Sequence, residues 1–405
     1  MKKALVGSTA LVAAGLLSGG AFAQAGNPIN IEVHGNFRVQ AGYVNQDDGV
    51  GEPGANRRNF GFGQDSQIQF RGQTKLDNGV TVGVQIELEG ESGFSATSSV
   101  PGTAGTGEVD IVDEAYMWIE NPAVWGRIEL GNRDAAGNKM FIRQPFVLAS
   151  RIVGVPTMQG VATPPAAALG TGIGQLAGSP LLVPASGDAN KITYYTPRFL
   201  NNALQLGISY TPDNTENNGR FGVGFAKTDT SAGAGQQGDI LNLGFNYTTK
   251  FGNADVRIAG SYDKGSQEST DTDTTDRTQW AIGAQVSFMG WTIGGAYMKD
   301  DAFFNNATIP GESDDVHWVV GVTYQTGPWL MGVEYYKRTV DSLTAAGVRN
   351  GEDEVTEWGL SVRRTMGGGF TLGGGIRFYD WEDNVSAAAN ENQATEILIE
   401  TTLTF

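Results

Sequence analysis

The segment Glu396-Ile397-Leu398-Ile399-Glu400-Thr401-Thr402-Leu403-Thr404-Phe405 alternates with a period of two. Ile397, Ile399, Thr401, Leu403 and Phe405 fall on one side, and Glu396, Leu398, Glu400, Thr402 and Thr404 on the other. Successive strand side chains point to opposite faces, so this is a strand with one apolar and one largely polar face. A soluble protein gains little from a bare terminal aromatic. A membrane barrel does gain, because its last strand closes the sheet and the aromatic sits at the interface.

The same pattern recurs along the chain. Ile31, Val33, Phe37, Val39, Ala41 and Tyr43 alternate with Glu32, His34, Asn36, Arg38 and Gln40. Ile68 and Phe70 alternate with Gln67, Gln69, Arg71, Gln73 and Lys75. After the turn Asp77-Asn78-Gly79 come Val80, Val82, Val84, Ile86 and Leu88 against Thr81, Gln85, Glu87 and Glu89. Later segments run 240–250, 254–264, 278–289, 291–299, 316–326, 329–339, 354–366 and 370–381.

The interruptions alternate in length. Short ones are 77–79, 251–253, 289–290, 327–328 and 367–369; long ones are 45–63, 92–108, 134–189, 213–238, 265–277, 300–315, 340–353 and 382–393. Short turns at one rim and long loops at the other suit an all-β, antiparallel transmembrane barrel. The segments number sixteen, or eighteen if Phe221 to Ala226 pairs with a neighbour. No segment after residue 23 approaches the ~20 apolar residues of a spanning helix.

Trp125, Trp291 and Trp329 follow short turns, and Trp280, Trp318 and Trp358 stand near long loops. Two aromatic belts at the two interfaces fit these places better than packing within a soluble sandwich. In a sandwich the apolar faces meet; sixteen strands in one barrel put the polar face around a wet lumen. That inward set carries Glu32, Arg38, Gln69, Arg71, Gln73, Gln85, Glu87, Arg257, Glu334, Arg377 and Glu400.

The first residues read as an export signal. Lys2 and Lys3 precede an apolar stretch from Leu5 to Leu17, and Ala21-Phe22-Ala23 is a cleavage site. Residues 1–23 are thus a cleaved signal peptide and 24–405 one barrel domain. The formal charge is −17, and losing two lysines with the signal leaves −19. An acidic chain disfavours nucleic acid. The absence of cysteine excludes a disulfide scaffold or thiolate metal site, and two histidines make zinc improbable. No cofactor and no specific metal site is expected. Acidic clusters such as 352–354 are read as loop tips that could bridge divalent cations to anionic lipid.

The runs Asp65-Ser66-Gln67-Ile68-Gln69-Phe70-Arg71-Gly72, Trp125-Gly126-Arg127-Ile128-Glu129-Leu130-Gly131-Asn132-Arg133 and Asn190-Lys191-Ile192-Thr193-Tyr194-Tyr195-Thr196-Pro197, with the terminal Phe405, resemble the Gram-negative general diffusion porins. The resemblance covers essentially the whole mature chain. It implies a sixteen-stranded homotrimer in the outer membrane, among lipid and lipopolysaccharide, passing ions and small hydrophilic solutes. It also implies that the third long loop, 134–189, folds into the lumen and narrows it. That loop is far longer than usual, and it carries Phe141, Ile142, Phe146, Val147, Leu148, Ile152 and Val153, which need a surface to pack on.

The loop departs from the family in its charges. Its acids, Asp134 and Asp188, stand at its ends, while Lys139, Arg143 and Arg151 lie inside. The wall candidates are Arg38 and Arg71, with Arg377 near mid-strand, Arg127 and Arg133 nearer strand ends, and Glu87 and Glu400 as counterweights. These ten residues are the candidate pore lining, and they imply a weakly anion-selective or nearly unselective pore. Two rivals are a receptor or adhesin barrel plugged by its loop, and an outer-membrane hydrolase. The latter needs a nucleophile beside a base, for which His317 near Ser313, Asp314 and Asp315 is the nearest candidate.

Overall fold

The computed structural model describes residues 28–47, 58–90, 112–149, 186–214, 237–267, 276–301, 313–343, 348–382 and 391–405. The signal-peptide reading of 1–23 and the segment 221–226 lie outside the described residues.

Sixteen strands form one closed antiparallel barrel in chain order. They are β1 Asn30–Gln46, β2 Phe60–Lys75, β3 Thr81–Glu89, β4 Val112–Asn121, β5 Gly126–Asn132, β6 Asn190–Tyr195, β7 Leu204–Asp213 and β8 Gln237–Phe251. The remainder are β9 Ala254–Gln267, β10 Arg277–Phe288, β11 Trp291–Asp301, β12 Asp315–Thr326, β13 Trp329–Leu343, β14 Arg349–Gly367, β15 Phe370–Glu382 and β16 Asn392–Thr404. One short helix, α1 Ala136–Met140, follows β5.

Alternation becomes two faces. In β16, Ile397 and Ile399 are 53% and 58% exposed, whereas Glu396, Leu398 and Glu400 are 3–4% exposed. The polar side is therefore the covered, inward one, the inverse of a soluble sheet. Strand β16 closes on β1 with Arg38 opposite Thr402 and Gln40 opposite Glu400. Beyond the named strand, Gly35 and Phe405 exchange backbone hydrogen bonds of 2.9 and 3.0 Å.

The tight turns obey local chemistry. Met289 and Gly290 both have positive φ, 49° and 85°, the two-residue geometry that matches strand twist. At 77–79, Gly79 has φ 83° and the Asn78 side chain accepts from the Val80 N–H at 3.1 Å.

Aromatic belts form on the outer face. Trp280 packs on Tyr297 at 5.2 Å, and Trp318, Tyr335 and Trp358 form a file at 4.9 and 4.4 Å. Near the short-turn end, Trp291 meets Tyr324 at 4.6 Å.

The reading of 340–353 as a long loop needs correction. Strands β13 and β14 extend into it from either side, to Leu343 and from Arg349, pairing Val340 with Asp353 and Asp341 with Glu352. The acids misled, because each is engaged near the wall: Glu354 with Lys337 at 2.5 Å, and Asp341 with Arg349 at 2.7 Å.

If the short turns face the periplasm, a cysteine at Val348 will label with an impermeant reagent on intact cells and one at Asn253 will not. Labelling at Asn253 alone would invert the barrel.

Candidate functional site: the inner wall and its strap

Residues 134–149 follow the inner face of the wall. A backbone outside regular structure needs partners for its polar groups, and inward side chains supply them. The Ala136 N–H donates to Ser209 Oγ on β7 at 2.8 Å, and the Gly137 N–H to Asn242 Oδ1 on β8 at 2.6 Å. Gln285 on β10 donates to the Arg143 carbonyl at 2.7 Å. Gln144 donates to Glu334 on β13 at 2.9 Å, and the Ala149 N–H to Glu400 on β16 at 2.8 Å. The segment is thus a strap fixed to the wall from β7 around to β16.

The strap fits because the wall beneath it lacks side chains. A Cβ at Gly207 would lie 2.7 Å from Met140 Sδ, one at Gly321 2.6 Å from the Pro145 carbonyl, and one at Gly373 2.6 Å from Leu148 Cδ2. A Cβ at Gly244 would meet Gly137 Cα at 2.8 Å, and one at Gly283 would run into the Ile142 carbonyl. All five glycines occupy inward positions between exposed apolar neighbours such as Leu206, Leu243, Ile282, Val320 and Leu372. Val147 and Leu148 are buried against Leu398, the apolar residue out of place on the polar side of β16.

The two ends of the loop 134–189 meet at Lys191. Its ammonium donates to the carbonyls of Gly187 at 2.9 Å, Ala189 at 2.5 Å and Arg133. Burial pushes Asp188 up to about 7, with nearby Asp134 and Asp113 adding repulsion. Burial also pulls Lys139 down to about 8, against the attraction of Glu129.

The wall beside the strap is a ladder of charge pairs. Arg38 meets Asp65 at 3.1 Å. Arg127 meets Glu120 at 2.9 Å and Glu129 at 2.6 Å. Glu129 also takes Lys139 at 3.1 Å and Arg133 at 3.5 Å. Arg71 has no carboxylate within 4 Å among the described residues, while its guanidinium lies 4.9 Å from the Trp118 ring centroid. Farther round, Arg377 meets Glu396 at 3.5 Å. Arg143 donates to Asn138 at 3.3 Å. Glu87 is buried and accepts from Gln69 at 2.7 Å. Arg151 lies outside the described residues. The structure thus brings Arg127, Arg133 and Lys139 together, sets Arg71 on β2 and Arg38 on β1 beyond β4 and β3, and leaves Arg377 on a separate wall.

Sequence reasoning missed Asp65, Glu129, Asp113, Glu114 and Trp118. Glu129 was legible, since it alternates with Ile128 and Leu130. The two acids of β4 were not. Between Ile86–Ala115 and Leu88–Val112 the register slips, so Asp113 and Glu114 both stand opposite Glu87. Two carboxylate trios result, Glu87–Glu89–Asp113 and Glu114–Asp134–Asp188, each within 4.8 Å. Either is close enough to share a divalent cation, but nothing else among the described residues singles out an ion.

His317 is fully buried between Asp315 and Tyr336, each at 2.8 Å. The Ser313 hydroxyl donates instead to the Asp341 carbonyl at 3.0 Å. The serine and histidine weighed as a hydrolytic pair are therefore not joined.

A closed barrel with lipid-type residues outside, charges inside and a strap along its inner wall defines a channel of the outer-membrane type. The model of the Gram-negative porin family matches residues 7–384, and the chain belongs to that family. It is an outer-membrane β-barrel for passive diffusion. The fold is similar to an anion-selective porin from Comamonas acidovorans, with a TM-score of 0.55 and 18% identity over 93% of this chain and 100% of that one. It is also similar to the trimer form of OmpT from Vibrio cholerae, with a TM-score of 0.57 and 11% identity over 94% and 100%. The channel DcaP of Acinetobacter baumannii gives 0.56 and 12% over 95% and 99%. No curated protein sequence matches.

Two outcomes follow from the strap. Gly283→Leu will dislodge it, since overpacking costs about 1–3 kcal/mol, and single-channel conductance will rise. Unchanged conductance would mean that the strap does not limit flow. Second, Asp188 titrates higher in the folded protein than its ordinary 3.8, so the stability linked to its proton is lost as pH rises toward 7. Asp188→Asn will therefore raise thermal stability most at pH 8 and least at pH 4.

Proposed function

We propose that the strap 134–149 and the inner faces of β1–β5 bound the narrowest part of a water-filled pore for ions and small hydrophilic solutes. Arg38, Arg71, Arg127, Arg133 and Lys139 stand on its basic side. The observation that carries this reading is the strap's attachment to the wall from Ser209 to Glu400. Residues 1–23 direct export and are removed, and the loop 134–189, of which 150–185 lie outside the described residues, is the constricting loop.

The functional unit is a homotrimer among outer-membrane lipid and lipopolysaccharide. Strands β5 and β6 hold seven and six residues, fewer than the ~9–11 that cross a bilayer core. Their outer face needs cover other than lipid, and a second copy supplies it.

The pore is nearly unselective with a slight preference for anions. Most basic groups are matched by a carboxylate, and a matched pair has little field beyond the ~8 Å screening length. Arg71 carries the excess. One unmatched charge a few Å from an ion in a wet lumen is worth about 1 kcal/mol or less, so the chloride-to-potassium permeability ratio should be about 1–5. Reversal potentials in a potassium chloride gradient across a planar bilayer test this. Arg71→Glu should move the ratio below that of the wild type. Strong cation preference in the wild type, or no conductance at all, would overturn the reading; the second would favour a plugged receptor.

A further inference from the structure

The inner wall holds an indole in an unusual place. Trp118 projects from β4 between Gly83 of β3 and Glu129 of β5. It stands on the inward face of a channel, yet it is 0% exposed. Its Nε1–H has no hydrogen-bond partner. Burying such a donor unpaired is unfavourable. Two cations cover the ring instead: Arg71 Cζ is 4.9 Å from its centroid and Arg127 Cζ 4.7 Å. A guanidinium within about 6 Å of an indole centroid is attracted by the ring quadrupole.

The two arginines differ in everything else. Arg127 is held by Glu120 and Glu129. Among the described residues Arg71 lacks any carboxylate within 4 Å, and the groups flanking it are already engaged. Glu32, its partner across β1, accepts from Asn30 at 2.7 Å and contacts His34 at 3.3 Å. Gln85, its partner across β3, accepts from the Tyr116 hydroxyl at 3.1 Å. Arg71 itself reaches Gln73 at only 3.5 Å, and its Nε–H is unpartnered. The indole is thus the main group fixing this guanidinium.

Glycine at position 83 makes this possible. A Cβ there would collide with three atoms of the indole, so the ring lies flat across β3 toward β2. A carboxylate would have held Arg71 equally well, but it would have cancelled its charge and used its donors. An aromatic face does neither.

We infer that Trp118 is the positioning residue of the pore's anion contact: it holds the Arg71 guanidinium in place while leaving its charge and its terminal N–H donors available to a passing anion. This inference rests on the reading of Arg71 as the excess cation of the narrow region.

The test compares reversal potentials in a potassium chloride gradient for wild type, Trp118→Phe, Trp118→Leu, Arg71→Gln and the double variant Trp118→Leu/Arg71→Gln. Insertion is verified by heat-modifiable migration. Trp118→Leu should reduce the chloride-to-potassium ratio in the same direction as Arg71→Gln. The posed guanidinium population should fall at least about two- to fivefold, the fold-change that a cation–π contact carries even at an exposed site. Trp118→Phe should retain most of the wild-type ratio. The double variant should match Arg71→Gln alone, because Trp118 acts through Arg71. A Trp118→Leu effect that persists undiminished in the Arg71→Gln background overturns the inference, as does a wild-type ratio in Trp118→Leu. If Trp118→Leu fails to insert, Gly83→Ala lifts the indole and should shift the ratio the same way; no shift overturns the inference. If Arg71→Gln itself changes nothing, the reading of Arg71 fails and the inference falls with it. If Arg71→Gln shifts the ratio and Trp118→Leu does not, that reading stands and the inference alone falls.

Discussion

In hydrocarbon there is no water to satisfy a free N–H or C=O, so a membrane-crossing sheet has to leave none at an edge. Closure of β1 on β16 meets that requirement, and the rest of the molecule follows from it. The register from Asn36–Thr404 to Gln46–Ala394 leaves no open edge along the seam. Gly35 and Phe405 extend the ladder one pair further. Gly35 has to be small there, because a Cβ would sit 2.7 Å from the Phe405 ring. Once the sheet is closed, the two faces of every strand meet different solvents. Charge becomes affordable inside and apolar surface outside.

Closure also creates a difficulty. A sixteen-stranded wall encloses more space than its own side chains can fill. Part of that space goes to the strap, and the wall makes room by omission. The inward glycines 207, 244, 283, 321 and 373 let a backbone lie where side chains would otherwise stand. Inward polar groups, Ser209, Asn242, Gln285 and Glu400, then take up its backbone bonds. Apolar burial adds to this. Val147 and Leu148 are 0% and 1% exposed, and burying such side chains stabilises by about 1.5–3 kcal/mol each. Leu398 breaks the polar pattern of β16 because it faces this strap rather than water.

Period-two alternation carried the barrel, its strand count and its closing strand, because lipid and water impose opposite demands on neighbouring residues. It failed where that rule is locally suspended. The slip opposite Glu87 puts Asp113 and Glu114 in succession against one residue, and no period of two contains that. Glu352 and Asp353 read as a loop tip because clustered acids usually are one; here Asp353 is fully buried in β14. Trp118 and Trp381 share the residue type of the outer belts, yet both are 0% exposed on the inward face. Parity alone would have assigned them, since Trp118 alternates with Met117 and Ile119. Which acid each arginine meets across the strands was not legible. Asp65 and Arg38 are opposed only once the β1–β2 register is known.

Those partners change the meaning of the chain's charge. A net −17 describes the whole sequence, but an ion in the lumen responds to the charges nearest it that are not already matched. Arg38, Arg127 and Arg377 each lie within 3.5 Å of an acid. Pairing across neighbouring strands is what a closed wall permits, because inward side chains on adjacent strands stand about 5 Å apart. A counted cation and an effective cation are therefore different things in this protein. Arg71 is set apart less by its own side chain than by its surroundings: Glu32 turned toward Asn30 and His34, Gln85 toward Tyr116, and an indole laid over a glycine. The charge a solute meets is decided by which neighbours are occupied elsewhere, and that is a property of register before it is one of composition.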